Sequence, residues 1–109
     1  MPIPPPFRCE TDEGRVRPIG ELDIATVPEV DRHLRELLDG GGDRLVLDLR
    51  DVTFMDSSGL RLILRWQQEA AKEDGRTFGL IAGPPAVERV LHVTRMRSLL
   101  TFVDPPDGA

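Results

Sequence analysis

Ser57 and Ser58, set between Asp56 and Gly59, are the residues of this 109-residue chain whose type and spacing invite chemistry. They follow the short apolar run Leu45-Val46-Leu47-Asp48-Leu49 and precede a helical pattern, so they fall where a buried strand hands over to a helix. The carboxyl ends of strands are where open α/β sheets carry their functional sites. A helix N-terminus leaves backbone N–H groups unpaired and carries the positive end of the helix dipole, which suits a phosphate. A serine there is a sensible phosphoacceptor, because phosphorylation adds about −1.5 to −2 charges where the backbone partly stabilises them. The competing reading is structural, since serine is also a preferred N-cap. Gly59 behind the serines is expected to keep the surface low and accessible. A second acidic segment, Gly20-Glu21-Leu22-Asp23, leaves the second strand ahead of the first helix, at a position that could face the serine loop. Glu21 and Asp23 would then hydrogen-bond the Ser58 hydroxyl or repel a phosphate on it; the alternative is a solvated acidic turn.

Other chemistry finds little support in the residues. The G-x-S-x-G elbow of serine hydrolases is absent, because Met55 and Asp56 precede the serines. His33 and His92, the two histidines, belong to different helical patterns and complete neither a nucleophile triad nor a metal-ligand motif. Gly40-Gly41-Gly42 lacks the lysine of a phosphate-binding loop and reads as a flexible turn. No lysine lies near the serine loop, which disfavours a nucleotide-binding or hydrolytic protein. The residues therefore predict no catalytic group, no metal and no cofactor. The formal net charge of −5, with arginines and acids interspersed, argues against direct nucleic-acid or anionic-membrane binding. A single cysteine, Cys9, excludes an internal disulfide and reads as a small hydrophobe in a strand. No apolar run approaches the roughly 20 residues of a membrane span, and no signal-peptide pattern opens the sequence, so a cytoplasmic location is expected.

The elements that must position the serines follow from periodicity. Phe7–Thr11 and Arg15–Ile19 form a hairpin around Asp12-Glu13-Gly14, with Pro18 interrupting the second arm. Thr26 caps a first helix, paired with Glu29 in a capping box, and the helix continues through Val27, Val30, Leu34, Leu37 and Leu38. Leu45–Leu49 is an interior strand covered on both faces. After the serine loop, Leu60, Ile63, Leu64 and Ala71 mark a second helix, widened by Leu62, Trp66 and Ala70 and closed by Asp74-Gly75. Phe78–Ala82 is a strand, and Gly83-Pro84-Pro85 opens a third helix through Val87, Val90, Leu91 and Thr94. Leu99–Val103 is a last strand. The order β-β-α-β-α-β-α-β implies one α/β domain over 7–103, with a mostly parallel central sheet and an antiparallel edge hairpin. Residues 1–6, with four prolines, and 104–109 read as tails.

Taken together, Gly20-Glu21-Leu22-Asp23, Leu47-Asp48-Leu49 and Phe54-Met55-Asp56-Ser57-Ser58-Gly59-Leu60 resemble the anti-sigma factor antagonist branch of the STAS domain family, over about residues 7–103. The resemblance implies a switch protein rather than a catalyst. In that family the second serine of D-S-S-G, here Ser58 (Ser57 being the less favoured choice), is phosphorylated by a partner that is both an anti-sigma factor and an ATP-dependent serine kinase. The unphosphorylated antagonist binds that partner and releases a sigma factor; phosphorylation blocks binding, and a serine phosphatase restores it. The implied partner surface comprises Glu21, Asp23, Asp56, Ser57, Ser58, Gly59 and Arg61. A phosphate there would add negative charge beside Glu21, Asp23 and Asp56. Arg61, one turn beyond Ser58, either offsets part of that charge or is a solvated helix arginine. A constitutive STAS interaction module, such as a scaffold or an accessory subunit of a lipid-transport complex, is the alternative. With no exposed apolar stripe beyond those that cover the sheet, the free chain is expected to be a monomer.

Overall fold

The computed structural model describes residues 6–106. Its chain order is β1 (Arg8–Asp12), β2 (Arg15–Leu22), α1 (Val27–Asp39), β3 (Arg44–Asp48), β4 (Val52–Met55), α2 (Ser57–Ala70), β5 (Thr77–Ile81) and α3 (Pro85–Val93), followed by a 3₁₀ turn at Arg97–Leu99. The expected α/β class holds, with an antiparallel β1–β2 hairpin on an otherwise parallel sheet ordered β1-β2-β3-β5. Two details differ from the periodicity. Val52–Met55, expected as part of the serine loop, is a strand that pairs in parallel with the end of β2. Leu99–Val103, expected as a strand, is reduced to one bridge between Phe102 and Leu80. Two backbone hydrogen bonds hold it, Leu80 N–H to Thr101 O at 2.9 Å and Val103 N–H to Leu80 O at 2.8 Å. Pro105 and Pro106 then remove the donors that a longer ladder needs.

The hairpin turns at Glu13 and Gly14, whose φ angles of 45° and 83° give the mirror-image turn that matches strand twist. Pro18 does not break β2, which runs through it opposite Cys9. Alternate residues of a strand send their N–H groups to the same side. Gly20 N–H points at Asp51 O (3.1 Å), so the nitrogen of Pro18 faces that edge too. There the β3 register ends at Val16 and the β4 register begins at Gly20, so no ladder donor is missing. The proline sits in the gap between two partners.

That gap is a corner stabilised by charge. Asp48 closes β3 fully buried, accepting from the Arg50 N–H at 3.1 Å, from Arg50 Nη2 at 2.9 Å and from Arg15 Nη1 at 3.1 Å. Arg17 bonds Asp51 across the same corner. Leu45 and Leu47 on β3 are buried, whereas Val46 on the other face is only half-buried and lines a cleft with Arg15 and Val103. Cover on that face is therefore partial, unlike the two-sided burial expected. The core joins Leu22, Leu47 and Leu80 of the sheet to Leu34 of α1, Leu62, Ile63 and Trp66 of α2, and Leu91 of α3. Helices α1 and α2 pack on each other. Cys9 is half-buried against this core, as expected of a small apolar residue, and burial pushes its thiol up to about 12. Of the expected tails, residues 1–5 and 107–109 lie outside the described residues, and Pro6 and 104–106 hold no helix or strand.

Candidate functional site

The site forms where β4 ends and α2 begins. Asp56, not a serine, is the N-cap: its backbone is extended, and its Oδ1 accepts from Ser58 N–H at 2.8 Å. Ser57 and Ser58 are therefore the first two helical residues, and neither hydroxyl caps the helix. This corrects the capping role considered for them. The Asp56 N–H donates to Leu22 O at 3.4 Å, tying the cap to the end of β2.

Gly59, expected to keep the surface around the serines low, is itself buried. A Cβ there would lie 2.5 Å from Met55 Cγ and 3.2 Å from Leu22 Cγ. Its missing side chain lets the first turn of α2 settle onto β4 and β2, and this holds Ser57 and Ser58 at the surface. Ser57 is exposed and Ser58 half-exposed. The Ser58 Oγ accepts one long hydrogen bond, from Arg61 Nη2 at 3.4 Å.

Ser58 opens onto a groove of about 330 Å³ between α1 and α2, lined with Arg61 and Arg65 on one side and Ile24, Pro28 and Asp31 on the other. Arg65 Nη1 stands 3.8 Å from Asp31 Oδ1, which also accepts from Trp66 Nε1 at 2.8 Å. Ile24, at the groove's lip, is 77% exposed. Sequence reasoning did not single out Ile24, Asp31 or Arg65. The available signal was Arg65 at i+7 from Ser58, which places it on the same helix face.

Glu21 and Asp23 do not reach Ser58. Glu21 is an exposed strand residue paired in register with Phe54, not part of a turn. Asp23 is occupied locally: its Oδ1 accepts from Ala25 N–H (2.9 Å) and Thr26 N–H (3.2 Å). Thr26 forms no capping bond; its hydroxyl donates to Glu21 O at 2.7 Å, so the expected capping box is replaced by the Asp23 turn. Asp23, Ala25 and Thr26 line a second groove of about 720 Å³ with Phe7, Arg50 and Pro84. The 23–26 loop is thus a ridge with the Ser58 groove on the Ile24 side and the acidic groove on the other. His33 is half-buried on α1 and His92 exposed on α3, and neither lines the Ser58 groove. Among the described residues no helix is long and apolar enough to cross a membrane.

The small α/β domain thus presents Ser58 in the first turn of α2, beside a groove open to solvent. Residues 7–101 match the family described as "Mlab, STAS domain", and the chain belongs to the STAS domain family. It is 27% identical over 81 residues, 74% of each chain, to an anti-sigma-B factor antagonist of Staphylococcus aureus. The corresponding protein of Staphylococcus epidermidis shows the same identity and coverage. An anti-sigma factor antagonist from Mycobacterium paratuberculosis superposes with a TM-score of 0.76 at 25% identity, over 94% of this chain and 87% of that one. The anti-sigma factor antagonist SpoIIAA in its unphosphorylated form shares the fold, with a TM-score of 0.64 at 21% identity, over 94% of this chain and 91% of that one.

Proposed function

We propose that this chain is an anti-sigma factor antagonist whose binding is switched off by phosphorylation of Ser58. The observation that carries the proposal is the division of labour at the start of α2. Asp56 caps the helix, which leaves the Ser58 hydroxyl with no structural task and open to the groove. The names of its relatives point the same way. The partner is an anti-sigma factor with serine kinase activity. It transfers the γ-phosphoryl group of ATP to Ser58 Oγ, releasing ADP, while the hydroxyl proton passes to a base of the kinase. A serine phosphatase returns the hydroxyl by hydrolysis, with inorganic phosphate as product. The chain is substrate and ligand in this scheme and not an enzyme; it acts in the cytoplasm as a monomer, without cofactor, membrane or nucleic acid. Glu21, Asp23, Asp56, Ser57, Ser58 and Arg61 contribute the contact surface on both sides of the 23–26 ridge, with Gly59 acting only through position.

The test is capture of the kinase by the wild-type chain and by Ser58→Ala and Ser58→Glu, read by mass spectrometry. Wild type and Ser58→Ala are expected to retain a protein with an ATP-binding serine-kinase domain, and Ser58→Glu to lose it at least about tenfold, equivalent to about 1.4 kcal/mol. Equal retention by all three would contradict the switch. The family description "Mlab, STAS domain" supports a second reading, a constitutive module of a lipid-transport or signalling complex. That reading predicts capture of a transporter ATPase, indifferent to the Ser58 substitutions.

A further inference from the structure

We infer that Arg61 and Arg65 form an intramolecular clamp for a phosphate on Ser58, so that the modified state is held by this chain's own side chains. The inference rests on Ser58 as the phosphoacceptor. Residues 58, 61 and 65 share one helix face, and helical side chains lean toward the N-terminus, so both arginines project back toward the serine. Arg61 already touches Ser58 Oγ at 3.4 Å. Arg65 lines the same groove with an exposed side chain, and among the described residues its one ion pair is with the half-buried Asp31 at 3.8 Å. A pair this long, with its arginine exposed, contributes little, so Arg65 exchanges a carboxylate for a phosphate at low cost. Asp31 is not stranded by the exchange, because Trp66 Nε1 still donates to it at 2.8 Å.

The charge in the groove changes sign. Arg61 and Arg65 against Asp31 leave one net positive charge, and a phosphoserine with about two negative charges reverses it. Asp56 at the cap is a further acid beside Ser58, and its Oδ1 is engaged by the Ser58 N–H. Guanidinium groups bind phosphate oxygens through paired N–H donors, so the clamp also removes two cations from any partner that uses them in the unmodified state. Phosphorylation thus closes the groove in two ways: it fills it and it occupies its arginines.

The experiment introduces phosphoserine at position 58 of the full chain during translation and follows the phosphate by ³¹P NMR as pH is varied. The second ionisation, about pH 6 for a free phosphoserine, is expected about half a unit to one unit lower in the folded chain. Arg61→Gln and Arg65→Gln should each move it part of the way back toward the value of a phosphopeptide spanning residues 54–66, and the double variant further still, leaving only the part owed to the helix N-terminus. Both arginines are exposed, so the variants should keep the wild-type circular dichroism. A value equal to that of the peptide in the wild-type chain overturns the clamp. So does a shift that the double substitution leaves undiminished, which would belong to the helix N-terminus alone. Because the phosphate is installed without a kinase, the clamp can hold or fail whether or not a cellular kinase modifies Ser58.

Discussion

Asp48 is the most consequential residue outside the Ser58 groove. Burial alone would raise its pKa, but the Arg50 side chain and N–H, reinforced by the charges of Arg50 and Arg15, outweigh burial and hold it below the usual carboxylate range. A carboxylate depressed in the folded state stabilises above its unfolded pKa of about 3.9 and loses that contribution as pH falls through the lower folded value. Wild-type stability should therefore hold steady above about pH 4 and decline below it. Asp48→Asn should flatten that limb and cost about 3 kcal/mol near neutrality, the low end for a broken buried pair because both arginines keep some access to water. Urea unfolding at a series of pH values decides it; an unchanged acid limb in Asp48→Asn would remove Asp48 from the account. In the sequence Asp48 stood out only as the single polar residue of an apolar run, because partners two and thirty-three residues away leave no local pattern. The serine segment was legible as the start of a helix from residue types, but its cap was not. Asp, Ser and Ser are all good N-caps, and the choice of Asp56 is fixed by where β4 ends.

At the scale of elements, α2 is aimed by its contact with β4 and β2, and Gly59 sets how close that contact is. Gly59→Ala should force Met55 or the first helical turn to move, costing about 1–3 kcal/mol of stability. It should also weaken kinase binding more than an exposed alanine substitution of equal stability cost. Thermal unfolding and binding measured on the same variant test this, and wild-type stability would show that the space beside Met55 yields freely. The three helices were legible because their apolar residues recur at helical spacing and prolines or glycines mark their ends. Strand β4 was not. Val52-Thr53-Phe54-Met55 is only four residues long, with burial at its two ends and exposure between, so it has no period of two to detect. Its pairing with β2, some thirty residues earlier, is a tertiary fact. The last strand failed for the opposite reason: Leu99–Val103 is apolar enough to read as β, but it pairs at a single residue on the edge of β5 before the prolines.

At the scale of the whole molecule, the described residues form a platform with two grooves separated by the 23–26 loop, one around Ser58 and its arginines and one beside Glu21 and Asp23. The net charge of −5 places the local positive charge of Arg61 and Arg65 against an acidic background. A single phosphate changes the sign of the groove without requiring the sheet to move. The α/β class was legible at this scale because strand and helix patterns alternate. The separation of Glu21 and Asp23 from Ser58 was not, since it depends on β2 running three residues further than its apolar pattern and on Asp23 folding back on its own turn. The most direct test of the central claim is the intact mass of the chain after incubation with ATP and a lysate of its own source, beside Ser58→Ala. The account predicts a gain of one phosphate in the wild type and none in the variant. A wild-type chain left unmodified by a lysate active on another kinase substrate, or a Ser58→Ala chain that still gains the phosphate, would contradict it.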